Sequence, residues 1–236
     1  MPEFIDVDDL SFEVRRSSKR KSISIIVDRG GQLAIATPVD CDQDTLRSII
    51  EQKKQWIFTK LLDNETTIAR SSVHKEYVSG EGFYYLGNSY RLQIIENDQT
   101  QGRISALRFS DGLFQLREDK RFNGREHFIK WYTSQSRSWI EPRMPAFAQR
   151  IGVDMPEIEI MDLGYRWGSC SKERVNFHWR TIMLPIPVIE YVMVHELAHL
   201  QVPNHGDQFW EVVARIIPDW QQTKQWLKEN GMTFAI

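Results

Sequence analysis

The sequence predicts an α+β fold. A β-rich N-terminal lobe with one or more helices spans residues 1–120, and a C-terminal lobe over 121–236 packs one buried helix on a small sheet. Three observations carry this reading. Short alternating or β-branched runs bounded by Gly, Asn and Asp dominate the first half, helical periodicity dominates the second, and residues 188–194, VIEYVMV, are almost continuously apolar.

In the first lobe, Phe12–Arg15, Ser22–Val27 and Gln32–Thr37 read as strands, with Gly30-Gly31 as a hairpin turn and Pro38 closing the unit. Residues 42–63 then change to a helical period, with Leu46, Ile49, Ile50, Trp56, Ile57 and Leu61 near one face and Asp42 or Asp44 available as N-cap. Strand signals return between Tyr77 and Leu116 in YVSGEGFYYLG, SYRLQII, ISALRFS and GLFQLRE. A longer helix starts near Asn123 and passes Phe128, Trp131 and Trp139, and Pro142 and Pro145 argue for a break in it.

The second lobe continues with a strand at Glu157–Met161, the loop LGYRWGSCSKER, and a short strand at Val175–Trp179. A buried helix follows from about Pro187 to Leu200, then helices at Asp207–Ile217 and Asp219–Asn230. No internal repeat and no low-complexity tract is visible.

Composition narrows the function classes. With 236 residues, 41% of them hydrophobic and 26% charged, the chain has the balance of a globular protein with a real core. A formal charge of −2 provides no general field for polyanions, so any nucleic-acid role must be local. Cys41 and Cys170 are far apart and suggest no disulfide framework, which suits a reducing, cytoplasmic compartment. The acidic opening MPEFIDVDDL does not read as a secretory signal, and no run of about 18 apolar residues suggests a membrane span.

The chemistry concentrates in VHELAHLQVPNH, residues 194–205. Side chains four apart on a helix lie one turn apart on the same face, so His195 and His199 can aim two imidazoles at one ion. Glu196 sits about 100° further round, where a carboxylate lies beside the ion and takes a proton from water rather than ligating. A catalytic zinc takes three protein ligands and keeps one position open, and His205 is the nearest third. Pro203 disfavours helix at Val202 and Asn204 tolerates a left-handed turn, so the chain can bend and return His205 toward the pair. Metzincins share this spacing but require glycine where Val202 stands, so that class is not assigned. Asp207, Glu211 and Glu190 are the carboxylates available to orient the imidazoles.

At these residues the chain resembles the YgjP-like metallopeptidases, relatives of the SprT-like zincins. The matching text is RWGSCS at 166–171, NFHWR at 176–180, VMVHELAHL at 192–200 and NHGDQFW at 204–210, with weaker similarity in RRSSKRKSISIIV at 15–27 and YVSGEGFYYLGNSYRL at 77–92. The resemblance implies a zincin-like catalytic lobe, one zinc ion on His195, His199 and His205, Glu196 as general base, and a protein or peptide substrate. His178 departs from the asparagine or other small polar residue expected in the family's strand, and would add a polar contact near the cleft or a competing ligand.

Around this centre Arg166 is placed to stabilise an oxyanion or hold a substrate carbonyl, unless it pairs with a carboxylate. Trp167 packs against the metal helix on the plainer reading. Tyr191, one turn before His195, points to the cleft or into the core. Cys170 reads as a small buried thiol, although as a fourth ligand it would close the site and make the ion structural. Phe209 and Trp210 read as the packing face of the next helix. The strip Arg15, Arg16, Lys19, Arg20, Lys21 carries five charges in seven residues, a solvated hairpin or a nucleic-acid contact of a protease acting on DNA-bound proteins. A zinc-stabilised, non-catalytic binding module is the remaining alternative.

Overall fold

A computed structural model describes residues 3–8, 10–28, 32–58, 60–61, 75–96, 105–164 and 166–236. The expected Gly30-Gly31 turn lies outside the described residues. The chain divides into two compact units, Met1–Ser72 and Val73–Ile236, rather than near residue 120. The change at residue 120 is one from strand to helix inside a single core: Phe83 stacks on Phe128 with ring centroids 4.0 Å apart, and the Tyr132 hydroxyl donates to the Tyr84 carbonyl at 2.7 Å.

The first unit holds β1 (Glu3–Val7), β2 (Leu10–Arg16), β3 (Ser24–Val27), β4 (Leu33–Thr37) and α1 (Gln43–Gln52). Its strands are ordered β1-β2-β4-β3, with the central pair parallel and each outer pair antiparallel. Alternation along β2 buries Leu10, Phe12 and Val14, which meet Ile35, Leu46 and Ile50 in one core. Asp42 caps α1, its carboxylate accepting from the Thr45 amide at 2.7 Å. β1, which was not expected, lies in the acidic opening segment and buries Ile5 and Val7.

The second unit begins with β5 (Gly82–Tyr85), β6 (Asn88–Ile95), β7 (Leu107–Ser110) and β8 (Leu113–Arg117), followed by α2 (Gly124–Ile140). Its order is β5-β6-β8-β7, again with a central parallel pair and outer antiparallel pairs. The chain thus builds the same four-stranded pattern twice and follows each copy with a helix. This is a repeat of backbone topology without a matching repeat in the sequence. α3 (Met144–Ile151) follows a break at 141–143, with Pro145 in its first turn, as the prolines predicted.

A three-stranded sheet comes next, ordered β10-β11-β9, from β9 (Glu157–Met161), β10 (Gly168–Cys170) and β11 (Arg174–His178). β10 is an edge strand inside the segment expected to be a loop, and it pairs antiparallel to β11. The metal-motif helix α4 (Ile186–Gln201) packs against β10, α3, α5 (Asp207–Ile216) and α6 (Trp220–Asn230). Val188, Ile189, Val192, Met193, Val194 and Leu197 bury α4 on several sides. No helix among the described residues is long and apolar enough to cross a membrane.

The β5–β6 turn locks the start of α4. The amides of Leu86 and Gly87 donate to the carbonyls of Ile182 and Met183 at 2.9 and 3.0 Å. Gly87 has φ +83°, and a Cβ there would lie 2.8 Å from Pro185 Cα, so both conformation and space demand glycine. Gly87→Ala should destabilise the protein by about 1–3 kcal/mol in urea unfolding. A midpoint equal to that of the wild type would show that this turn does not anchor the helix.

Candidate metal centre

The helix ends where Pro203 requires. Val202 is extended, with φ −131° and ψ 105°, while its amide still donates to the Ala198 carbonyl. The chain turns through 203–206, and α5 restarts at Asp207 behind Gly206. This bend returns His205 to the helix: its Nε2 lies 3.1 Å from His195 Nε2. The ring centroid of His199 is 4.9 Å from that of His195 and 4.6 Å from that of His205. One ligand nitrogen from each of the three falls within 4.8 Å of the others, and no further residue joins this cluster among the described residues.

The His195–His205 pair has the spacing of two ligands on a tetrahedral ion. Nitrogens bound at 2.0–2.1 Å to such an ion stand about 3.3 Å apart, close to the His195–His205 separation. The described residues leave the cluster only partly satisfied. His195 Nδ1 is buried without a hydrogen-bond partner among the described residues, and two facing Nε2 atoms can share at most one proton.

The expected carboxylate supports are replaced by backbone and aromatic contacts. His199 Nδ1 lies 3.3 Å from the Val202 carbonyl, so Nδ1 carries the proton and Nε2 is left as a lone pair. Asp207, Glu211 and Glu190 form no ion pair or hydrogen bond with the three histidines among the described residues. Phe209 and Trp210 are more than a packing face. The fully buried Phe209 ring lies 4.6–5.0 Å from all three imidazoles. The Trp210 indole donates to the His205 carbonyl at 3.2 Å and stacks on its ring. Both follow the motif at a helical interval, but nothing in their spacing distinguishes a ring that touches a ligand from one that touches the core.

Of the remaining predicted residues, Tyr191 is buried with its ring 5.8 Å from that of His195. Arg166 is exposed, forms no ion pair among the described residues, and acts electrostatically on Glu196. Trp167 is buried, and its ring lies where a Cβ on Gly231 would approach to 3.1 Å, so it belongs to the core. His178 stands apart from the cluster and is 1% exposed. Its Nδ1 accepts from the Arg180 amide at 3.0 Å and its Nε2 lies 3.3 Å from Asp162. It is therefore neither a competing ligand nor a cleft contact; it pins the loop that leads to Arg166. Cys170 is also outside the cluster, with Sγ 3.3 Å from the Ser171 carbonyl.

Burial sets the protonation states. It pushes His195 down to about 3, assisted by His199 and His205, and lowers His199 and His205, so all three present neutral, ligand-competent nitrogens near neutral pH. Burial pushes Cys170 up to about 11 and Tyr191 up to about 12, in each case helped by the Glu196 charge. Neither is a nucleophile at neutral pH. Glu196, 6% exposed, is raised by burial to about 7 against an ordinary value of 4.5, with Arg166 opposing. In the metal-free protein this carboxyl favours folding when protonated. That contribution is full below pH 4.5 and is lost as pH rises through about 7. Metal-free Glu196→Gln should therefore exceed wild type in stability at pH 8 by about 1–3 kcal/mol and converge with it below pH 4.5. Urea titrations in EDTA at the two pH values check this, and a pH-independent difference would contradict it.

A family model described as "YgjP-like, metallopeptidase domain" matches residues 21–230. No curated protein matches the chain. Among solved structures, the metallopeptidase zymogen of Pyrococcus abyssi abylysin aligns at 18% identity and a TM-score of 0.37, over 41% of this chain and 98% of that one, an overlap too loose to decide fold or chemistry. The family match spans both the three-histidine cluster and the sheet that faces it, and the chain belongs to the YgjP-like metallopeptidase family.

Proposed function

We propose that this chain hydrolyses peptide bonds in protein or peptide substrates, with one zinc ion held by His195, His199 and His205 and with Glu196 as general base. The observation that carries the reading is the meeting of three neutral imidazoles, one of them followed directly in the chain by a buried carboxylate that makes no hydrogen bond of its own among the described residues. Such a carboxylate is free to take a proton. The ion, when bound, supplies Lewis-acid polarisation and makes water nucleophilic near neutral pH.

Glu196 accepts the proton of the attacking water and returns it to the leaving amine. The Tyr191 phenol, kept protonated, and the Arg166 guanidinium are the donors available to the developing oxyanion. β10 is the edge of its sheet and packs on α4, so its outer backbone groups can pair with an extended substrate strand. The non-catalytic alternative needs Cys170 or His178 as a fourth ligand, and both lie outside the histidine cluster. A nucleic-acid role draws less support than the charge run suggested, because Arg15 pairs with Glu13 at 2.5 Å and Arg16 with Glu3 at 2.8 Å. The two free cysteines accord with a cytoplasmic location.

Elemental analysis should find one zinc per chain in the wild type and in Glu196→Gln, and none in His199→Ala. Glu196→Gln should lower kcat/KM on an unfolded protein substrate by about 10³-fold or more. Wild-type cleavage by that variant, or zinc retained by His199→Ala, would sink the assignment.

A further inference from the structure

Among the described residues the base of the proposed reaction has no hydrogen bond to aim it, so its direction comes from packing. What it packs against is bare backbone. A Cβ placed on Gly168 would stand 2.5 Å from Glu196 Oε1 and 2.6 Å from both Cδ and Cγ. Because Cγ is involved as well as the carboxylate, rotating the carboxylate about its last bond does not relieve the overlap. Gly168 has no positive φ, so its backbone is open to any residue, and the space taken by Glu196 is the reason for the glycine.

Neither wall can retreat easily. β10 is held in register by Gly168 opposite Phe177, Ser169 opposite Asn176 and Cys170 opposite Val175, and both Phe177 and Val175 are fully buried. The His178 amide donates to the Trp167 carbonyl at 2.9 Å, and the Thr181 hydroxyl donates to the same oxygen at 3.2 Å, fixing the strand's entry. On the other side, Leu197 and Ala198 of α4 are fully buried. An added methyl group must therefore displace the carboxylate.

We propose that Gly168 is a positioning residue, whose missing side chain forms the wall that aims the Glu196 carboxylate at the attacking water. This rests on the reading of Glu196 as general base. The residue that forms this wall thus belongs to the edge strand that can receive substrate.

Gly168→Ala should lower kcat about 10²-fold, the scale of a misplacement near 1 Å, while KM stays within about threefold and zinc remains stoichiometric. Removing Cγ, Cδ and both oxygens should relieve the overlap, so on a Glu196→Ala background the same substitution should cost less than about threefold in the residual kcat. A kcat for Gly168→Ala within about threefold of wild type would overturn the proposal, and so would an equal loss on both backgrounds. The contact can also be read without activity. In EDTA, Gly168→Ala should lower the Tm of the wild type but have little effect on Glu196→Ala, and equal shifts on both backgrounds would refute it. A wild-type chain that binds zinc yet cleaves nothing would defeat the peptidase reading and leave this thermal cycle to decide whether Gly168 sets the position of Glu196.

Discussion

The structure depends on a helix that carries polar groups into a dry place. α4 is buried on most of its surface, and its last turns hold two imidazoles and a carboxylate that the protein itself scarcely satisfies. A buried polar group without a partner costs free energy on the order of 1–3 kcal/mol, so such a cluster persists only where something outside the chain completes it. The surrounding architecture follows from that demand. The β5–β6 turn fixes the helix start, Pro203 ends its period, and the bend delivers the third ring.

Much of the site was legible because its chemistry is written in local spacing. Two histidines four apart and a proline after them specify a face and a bend without any knowledge of tertiary structure, and both the convergence of the rings and the extended Val202 agree. What stayed hidden was long-range. The support of His199 by a main-chain carbonyl leaves no mark in side-chain identity. The seat of Phe209 under three rings cannot be told from ordinary amphipathic packing. His178 looked like a ligand because histidine is a ligand type, and only burial against Asp162 and the Arg180 amide shows it to be a pin.

The fold was legible by element and less so by grouping. The helices of the second half, the Asp42 cap and the proline break appear where their residues required, whereas the single helix expected over 42–63 ends at Gln52 and is interrupted by a turn at Lys53. The division between units did not, because a core such as that of Phe83, Phe114, Phe128 and Tyr132 joins segments whose local patterns differ. The repeated four-stranded pattern was hidden for a related reason: topology is conserved by strand order and pairing sense, while LSFEVRR and NSYRLQII fill equivalent places with unrelated side chains. β10 escaped because three residues carry too little alternation to announce a strand.

The three rings are not held alike. A buried phenyl that meets all three imidazoles closes one side of the cluster to solvent, and two of the rings ride on a rigid helix. His205 alone is both exposed and carried by irregular backbone. Of the three rings it is the one whose place depends on the bend alone, and the Trp210 indole, donating to its carbonyl and stacking on it, is the contact that keeps it there.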